Sequence, residues 1–188
     1  MKPAAPLLRE TRFSTGFGPV RLFWDPSGPG LKVHRILLPG DCRDGPVCSP
    51  AVPDTFTGEN EPLRSLVRDI RRFLSGSAIA FSTGLLSLDE CPPFQQRVLL
   101  AEHAIPPGFV STYGRIARHL GNPGAARAVG NALARNPFPL LIPCHRALRS
   151  DGDPGGFQGG RRMKVRLLAP EGCRAGPDGR IRMDRVWY

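Results

Sequence analysis

The chain has 188 residues, which is enough for one medium domain or two small lobes with a core of their own. No apolar run approaches the roughly 20 residues that cross a bilayer, and the apolar segment before Arg9 is too short for a secretory signal. The five cysteines are odd in number and lack C-x-x-C spacing, so a disulfide framework is not expected. A reducing cytoplasmic location without membrane attachment is predicted.

The formal net charge of +10 is concentrated in the second part of the chain. Residues 1–110 contain 12 Lys and Arg against 11 Asp and Glu, whereas residues 111–188 contain 14 against 5. Positive charge gathered in one part of a chain is typical of a site for a polyanion such as nucleic acid. Arginine-rich coding bias with solvated side chains is the alternative, but it does not explain why the first part is neutral.

Residues 1–90 predict a small α/β lobe. Residues 11–38 have the pattern of a β-hairpin, because Val20, Leu22 and Trp24 alternate with polar neighbours before a cluster of turn residues. The elements expected after it are a surface loop, an amphipathic helix that Pro62 opens, and a short strand, over residues 39–58, 62–74 and 77–86.

Residues 91–188 predict a mostly helical lobe. The expected helices run from Phe94 to before Pro106, and over residues 111–120, 125–135 and 161–169. The second and third of these are joined by a four-residue, glycine-containing turn, which fits a helix-turn-helix. Helical hairpins that bind no nucleic acid are common, so the motif alone leaves that alternative open.

The run from Asn136 to Arg146 delivers a cysteine and a histidine directly after prolines and apolar residues. Pro143 fixes its own φ and favours extended geometry at Ile142, so a stiff, strand-like approach to Cys144 is expected. A buried, unreactive thiol is the usual state of a lone cysteine and is the alternative here. About seven residues separate the cysteine from the predicted helix-turn-helix, which places DNA docking and thiol chemistry in one site.

The sequence Ile142-Pro143-Cys144-His145-Arg146 resembles the active-site signature of the O6-alkylguanine-DNA alkyltransferases, also called methylated-DNA–protein-cysteine methyltransferases. The resemblance extends over most of the second lobe. Its further motifs are Phe94-Gln95-Gln96-Arg97-Val98, Ile105-Pro106-x-Gly108, Thr112-Tyr113-Gly114-Arg115-Ile116-Ala117, Gly121-Asn122-Pro123, Ala126-Arg127-Ala128-Val129-Gly130, Asn136-Pro137 and Gly155-Gly156-Phe157.

The resemblance implies an α+β fold, with a ribonuclease-H-like sheet and helix in the first lobe and a winged-helix-like helix-turn-helix in the second. It implies a monomer that binds duplex DNA in the minor groove, flips out O6-alkylguanine and transfers the alkyl group irreversibly to Cys144. Flipping costs less for a weakly paired, damaged base, which is one source of selectivity. O4-alkylthymine is a further candidate substrate.

The resemblance also assigns catalytic roles. His145 would take the thiol proton from Cys144 through a water molecule, because a free cysteine is mostly protonated at neutral pH. Glu171 would orient the imidazole, as the third member of a nucleophile–base–orienter set. Asn136 would brace the turn before the cysteine loop, and Tyr113 would rotate the base and donate to the departing guanine.

Two further sets of residues follow from the same resemblance. Arg127 would fill the gap that the flipped base leaves, within a DNA-binding set of Tyr113, Gly114, Asn122, Ala126, Arg127 and Ser150. The substrate pocket would consist of Pro139, Ala147, Gly155, Gly156, Phe157 and Gln158. Four residues depart from the family pattern. Leu99 would affect core packing, Ala147 would change little if that position contacts guanine through its carbonyl, and Phe157 and Gln158 would alter the shape of the pocket.

No cofactor is expected. Some relatives carry zinc in the first lobe, and His34, Cys42 and Cys48 are the candidate ligands, but their spacing matches no established zinc pattern. Three other functions compete with repair: a non-catalytic protein that binds the flipped base, a winged-helix regulator with an incidental cysteine, and a Cys–His hydrolase. The presence of Cys144 disfavours the first, and the absence of a separately placed base disfavours the third.

Overall fold

A three-stranded antiparallel sheet forms the first part of the computed structural model, which describes residues 8–26, 30–40 and 60–188. The strands are β1 (Arg9–Thr15), β2 (Gly18–Asp25) and β3 (Lys32–Leu37), in the order β1-β2-β3. Alternate side chains of β2 are buried, so the predicted hairpin is confirmed as the β2–β3 pair. The prediction missed β1, which pairs with the other edge of β2.

Helix α1 (Glu61–Leu74) packs against this sheet and confirms the predicted helix. Asn60 caps it, since its Oδ1 accepts a hydrogen bond from the Leu63 N–H at 3.0 Å, and Pro62 occupies the first turn. The apolar residues at helical spacing are the buried ones, and they are Leu63, Leu66, Val67, Ile70, Phe73 and Leu74. The predicted loop over 39–58 lies almost wholly outside the described residues.

The strand predicted over residues 77–86 is wrong. The segment is irregular and ends in a single 3₁₀ turn (Thr83–Leu85), followed by one parallel bridge between Leu86 and Val33. The Ser87 N–H donates to the Val33 carbonyl at 2.9 Å. Ile79 and Phe81 pack against the core, and the Phe81 ring meets that of Phe73 on α1. Residues 77, 78 and 80 are exposed, and the pairing with β3 is limited to the bridge at Leu86.

The second part of the chain contains four α-helices and two short parallel strands. The strands are β4 (Ser111–Thr112) and β5 (Ala147–Leu148). The helices are α2 (Pro93–His103), α3 (Tyr113–His119), α4 (Ala126–Ala134) and α5 (Gly160–Leu168), which confirms all four predicted helices. Helices α3 and α4 pack together across the turn that begins at Gly121, where φ is +76°.

One apolar core joins the sheet, α1 and the helices that follow, giving a mixed α+β fold. Backbone contacts also connect the first sheet to the loop around the predicted cysteine site: the Ile36 N–H donates to the Pro137 carbonyl at 2.8 Å. A division at residue 90 and a ribonuclease-H-like sheet stay predictions. Within the described residues, no helix has both the length and the apolar character needed to cross a membrane.

Residues 174–188 are ordered and pack on the helix-turn-helix side. A second apolar cluster holds this segment, with Ile181 buried among Val110, Leu148, Leu168 and Cys173. The Trp187 N–H donates to the Val110 carbonyl at 2.8 Å, and the Tyr188 ring stacks on His119 with centroids 3.8 Å apart. The segment therefore borders both β4 and α3.

Candidate active site

A tight loop, rather than an extended strand, carries the predicted nucleophile. The side chain of Asn136 fixes this loop, because its Oδ1 accepts from the Phe138 N–H at 2.9 Å and its Nδ2 donates to the Ile142 carbonyl at 3.3 Å. Leu140 adopts a left-handed φ of +76°, which is unusual for a residue with a branched side chain. The Ile142 N–H donates to the Phe138 carbonyl and the Cys144 N–H donates to the Ile142 carbonyl, both at 2.8 Å. The chain therefore reaches Cys144 through turns, and the expected strand-like approach is wrong. Residues Cys144–Arg146 then form a 3₁₀ turn, while Pro143 keeps the φ of −78° that is usual for proline.

The Cys144 thiol lies at the base of a pocket of about 320 Å³. The residue is 8% exposed, so its sulfur is covered on most sides but borders this cavity. Burial raises the pKa of the thiol to about 11, and the Asn136 side chain opposes that shift. The residues lining the pocket are Tyr113, Gly130, Leu133, Ala134, Asn136, Pro139, Cys144, Arg149, Gly155, Gly156, Phe157 and Gln158.

His145 is fully buried behind this pocket and contacts Glu171. Its Nε2 lies 3.2 Å from Glu171 Oε1, while its Nδ1 is buried without a hydrogen-bond partner among the described residues. Burial lowers the pKa of His145, so the neutral ring is favoured. An ionised carboxylate can only accept, so Nε2 carries the proton and Nδ1 presents a lone pair. Nδ1 of the neutral ring is therefore a buried acceptor without a donor among the described residues.

Glu171 is held in turn by Arg146, a contact that sequence reasoning missed. Arg146 Nε donates to Glu171 Oε2 at 2.9 Å and Nη2 donates to Oε1 at 2.7 Å, while Nη1 donates to the Ile105 carbonyl at 2.7 Å. Burial alone raises the pKa of Glu171, but the hydrogen bonds from His145 and Arg146 lower it to about 2. Arg146 follows an apolar run, and a buried arginine needs an acidic partner. This was the signal in the sequence that could have predicted the contact.

A second buried acid–base pair, Glu102 and Lys164, was also missed. Both residues are fully buried, and Lys164 Nζ donates to the Ala147 carbonyl at 2.6 Å. Neither Glu102 oxygen forms a hydrogen bond within the described residues, although the Ala147 N–H favours its charged form. Burial raises the pKa of Glu102 and lowers that of Lys164. The signal was a glutamate on the apolar face of α2, between Leu99 and Ile105.

Tyr113 is the first residue of α3 and forms one side of the pocket. Its hydroxyl lies against Gly155, where an added Cβ would approach it to 3.0 Å. Burial raises the pKa of Tyr113 to about 12, so the hydroxyl stays protonated and can donate. Glycine at position 155, where φ is +67°, therefore keeps space for the phenol at the pocket.

The DNA-binding residues predicted on the helix-turn-helix lie on or near the surface. Arg127 is exposed on the first turn of α4, and Ala126 is partly exposed beside it. Gly114 follows Tyr113 on α3, and Asn122 is exposed in the turn between the two helices. Gly130 lines the pocket from α4 without a side chain. A Cβ at this position would lie 3.9 Å from the Tyr113 ring.

The predicted pocket set is brought together with one exception. Pro139, Gly155, Gly156, Phe157 and Gln158 line the cavity, whereas Ala147 is fully buried below it. Gln158 is also tied to the first sheet, because its Oε1 accepts from the Leu38 N–H at 2.6 Å. Arg149 lines the cavity too, and sequence reasoning missed it; Ser150, the next residue, is exposed.

The candidate zinc ligands are only partly described. Both ring nitrogens of His34 have partners, with Nδ1 2.8 Å from Glu90 Oε1 and Nε2 3.2 Å from Ser87 Oγ. Cys42 and Cys48 lie outside the described residues. Within residues 8–26, 30–40 and 60–188, no three His, Cys, Asp or Glu side chains are grouped to hold a metal ion.

Comparisons with known proteins agree with the site. Residues 93–173 match the family described as "6-O-methylguanine DNA methyltransferase, DNA binding domain". The methylated-DNA–protein-cysteine methyltransferase of Methanothermobacter thermautotrophicus is 46% identical over 120 residues, covering 62% of this chain and 67% of that one. The Rattus norvegicus protein of that name is 36% identical over 157 residues, covering 78% and 75%. The crystal structure of Mycobacterium tuberculosis OGT in complex with DNA has a TM-score of 0.68 at 29% identity, covering 87% and 92%.

Proposed function

Because the chain belongs to the methylated-DNA–protein-cysteine methyltransferase family and is a DNA-repair methyltransferase that alkylates a cysteine, we propose that Cys144 is the acceptor and O6-alkylguanine in duplex DNA the donor. One observation carries this assignment. Cys144 borders a cavity beside the helix-turn-helix, and His145, the next residue along the chain, contacts Glu171. A thiol, a base and an orienting acid are thus placed next to a space that can hold a flipped base.

Helix α4 enters the minor groove in this proposal. Its small residues let the backbone approach the DNA closely, and Arg127 occupies the gap in the base stack from its exposed position on the first turn. The flipped guanine then enters the cavity beside Tyr113. Because the site acts on an extruded base, a damaged and weakly paired guanine costs less to bind than an intact one.

Deprotonation of Cys144 is the first chemical step. The thiol is protonated at neutral pH because burial raises its pKa to about 11. Its proton passes through a water molecule to His145 Nδ1, the ring nitrogen that Glu171 leaves unprotonated by accepting from Nε2. Glu171 then stabilises the imidazolium that forms. Arg146 keeps Glu171 ionised and fixed in place.

The alkyl transfer itself breaks one bond and forms one. The Cys144 thiolate attacks the alkyl carbon, a carbon–sulfur bond forms, and the bond between that carbon and guanine O6 breaks. The electron pair remains on the guanine, which accepts a hydrogen bond or a proton from the Tyr113 hydroxyl. The thioether product has no hydrolytic exit in this site, so one monomer repairs one lesion.

Intact-protein mass spectrometry tests the assignment. Incubation with a duplex containing one O6-methylguanine should add a single methyl group, and peptide mapping should place it on Cys144. A Cys144→Ala variant should still bind the duplex but gain no methyl group. Methyl transfer by that variant, or modification of another cysteine in the wild type, would contradict the proposal. A duplex with O4-methylthymine in the same assay tests the second candidate donor.

A further inference from the structure

The segment after α5 contains a small β-hairpin that the proposed repair reaction does not use. Residues 174–182 form it, with Ala175 and Ile181 as directly opposed partners. The Gly176 N–H donates to the Arg180 carbonyl at 2.7 Å, and the Arg182 N–H donates to the Arg174 carbonyl at 3.0 Å. These hydrogen bonds fix the register across the hairpin, so each side chain can be assigned to one face.

One face of the hairpin is apolar and the other is basic. Ile181 is 3% exposed and packs into the second apolar cluster, so its face is the inner one. Side chains alternate along a strand, and directly opposed residues share a face. Arg174, Arg180 and Arg182 therefore lie together on the outer face, and all three are exposed.

This arrangement has an electrostatic cost in the free protein. Arg174 and Arg182 are opposed across the hairpin, and like charges in that position are destabilising. Arg180 has acidic neighbours, with Asp151 at 3.3 Å and Asp178 at 3.9 Å. Within the described part of the chain, neither Arg174 nor Arg182 forms an ion pair. A bound polyanion would supply the charge that this face lacks.

The hairpin is continuous with the proposed DNA interface. The Ile181 N–H donates to the Gly152 carbonyl at 2.9 Å, and the Gly152 N–H donates to the Arg149 carbonyl at 3.1 Å. Arg149 lines the pocket that contains Cys144, and a hydrogen-bonded four-residue turn keeps its ends within about 7 Å. The exposed Ser150 lies inside the same turn. The hairpin is thus one turn away from a residue that lines the pocket, with Arg180 beside Gly152 at that end. Arg174 and Arg182 lie farther along the hairpin and border a separate cavity.

We propose that the outer face of this hairpin binds the DNA backbone beside the lesion, through Arg174 and Arg182. The inference rests on the proposed function, since it places the same duplex on both surfaces. Guanidinium groups recognise phosphate by two parallel hydrogen bonds, and phosphate contacts position a protein on DNA without reading its sequence. The hairpin would therefore add affinity and orientation, and it would leave the chemistry at Cys144 unchanged.

The test compares two doubly substituted proteins. Arg174→Gln with Arg182→Gln removes both charges from the hairpin and keeps polar side chains there. Arg68→Gln with Arg72→Gln removes two charges from exposed positions of α1, outside the proposed interface. Binding of each protein to the O6-methylguanine duplex is measured as a function of salt, and transfer to Cys144 is measured with both that duplex and free O6-benzylguanine.

The hairpin variant should bind the duplex more weakly, and its plot of log affinity against log salt should be less steep by about 0.9 for each lost phosphate contact. The α1 variant should keep the wild-type slope, and both variants should react with the free base at the wild-type rate. A hairpin variant with an unchanged slope would overturn the inference. Wild-type protein that leaves Cys144 unmodified would instead overturn the proposed function. The single substitution Arg182→Gln is the second variant. It should change the salt slope by about half as much as the double substitution.

Discussion

Glu171 contacts two buried side chains at once, and the proposed proton transfer depends on both contacts. It accepts from His145 and from the Arg146 guanidinium, and little of its side chain is exposed. The hydrogen bond to His145 selects the ring tautomer, while the ion pair with Arg146 fixes the carboxylate. An uncharged side chain at this position cannot do both.

A Glu171→Gln substitution should slow transfer to Cys144 by about 10²-fold or more, because His145 loses the charge that stabilises its protonated form. It should also lower the melting temperature, since a buried arginine without its partner costs roughly 3–5 kcal/mol. Single-turnover kinetics and thermal unfolding measure the two effects. Asp178→Asn is the control, at an exposed acid that contacts Arg180 through the backbone N–H and the side chain and does not touch His145 or Arg146. Wild-type transfer rates in Glu171→Gln would contradict the assigned role.

The same carboxylate predicts how stability depends on pH. Its pKa is lowered from 4.5 to about 2 in the folded protein, so its contribution is fully present above pH 4.5 and is lost as the pH falls towards 2. The size of that contribution is about 3 kcal/mol. In urea unfolding experiments, the free energy of unfolding of the wild type should decline between pH 6 and pH 3. The decline should be smaller in Glu171→Gln. Equal slopes in the two proteins would contradict this linkage.

Glu102 influences the thiol from within the core. Its charge raises the pKa of Cys144, beyond the larger effect of burial. Because the pKa of Glu102 is about 8 and that of the thiol about 11, Glu102 is ionised when the thiol titrates. Glu102→Gln should therefore lower the pKa of Cys144, as measured by the pH dependence of its alkylation by iodoacetamide. Glu61→Gln, at an exposed position of α1, should leave it unchanged. A pKa that rises or stays constant in Glu102→Gln would refute this coupling.

At the scale of elements, α3 lines the pocket and α4 presents the residues proposed to enter the groove. Tyr113 begins α3 and lines the cavity, whereas Arg127 is exposed on the first turn of α4, after the intervening turn. The last residues of α4 lead directly into Asn136 and the loop that carries Cys144. In the proposed complex, docking of α4 on DNA would therefore fix the position of Cys144 relative to the lesion.

Arg127→Ala should slow repair of duplex DNA far more than reaction with free O6-benzylguanine. Only the duplex reaction requires a base to leave the stack, and the arginine compensates for that loss of stacking. Single-turnover rates on the two substrates give the comparison, with Arg72→Ala on α1 as the control. Equal slowing on both substrates would show that Arg127 has another role.

For the whole molecule, positive charge is concentrated in residues 111–188, the part of the chain that is proposed to bind DNA. Residues 111–188 contain 14 Lys and Arg against 5 Asp and Glu, and the helix-turn-helix, Arg149 and the C-terminal hairpin all lie within them. The sheet comes from the neutral part and contacts the cysteine loop through the Ile36 N–H, which donates to the Pro137 carbonyl. Leu38, just after the sheet, donates to the side chain of Gln158 at the pocket.

DNA affinity should fall steeply as salt rises, because each phosphate contact releases counterions. Fluorescence anisotropy of a labelled duplex across a salt series measures the slope. The rate of reaction with the free base should change little over the same range, which controls for effects on folding. A flat response would mean that the excess arginine reflects coding bias and not a DNA surface.

Local patterns determined much of the secondary structure. Apolar residues at helical spacing and the residues that start and stop helices placed α1, α2, α3, α4 and α5, because these signals act within a few positions of the chain. The cysteine motif and its distance from the helix-turn-helix also identified the family. The prediction of a strand over residues 77–86 failed, because a short apolar run does not show whether a neighbouring strand will pair with it.

The amino-acid sequence alone determined the helices, the basic second part and the identity of the reactive motif, all of which depend on neighbouring residues. The resemblance already paired His145 with Glu171, but only the tertiary structure decided which other distant groups meet: Arg146 on Glu171, Lys164 on the Ala147 carbonyl, and a hairpin with its arginines on one outer face. These pairings cross tens of residues and are selected by burial, because a charge removed from water must find its partner wherever the fold brings one.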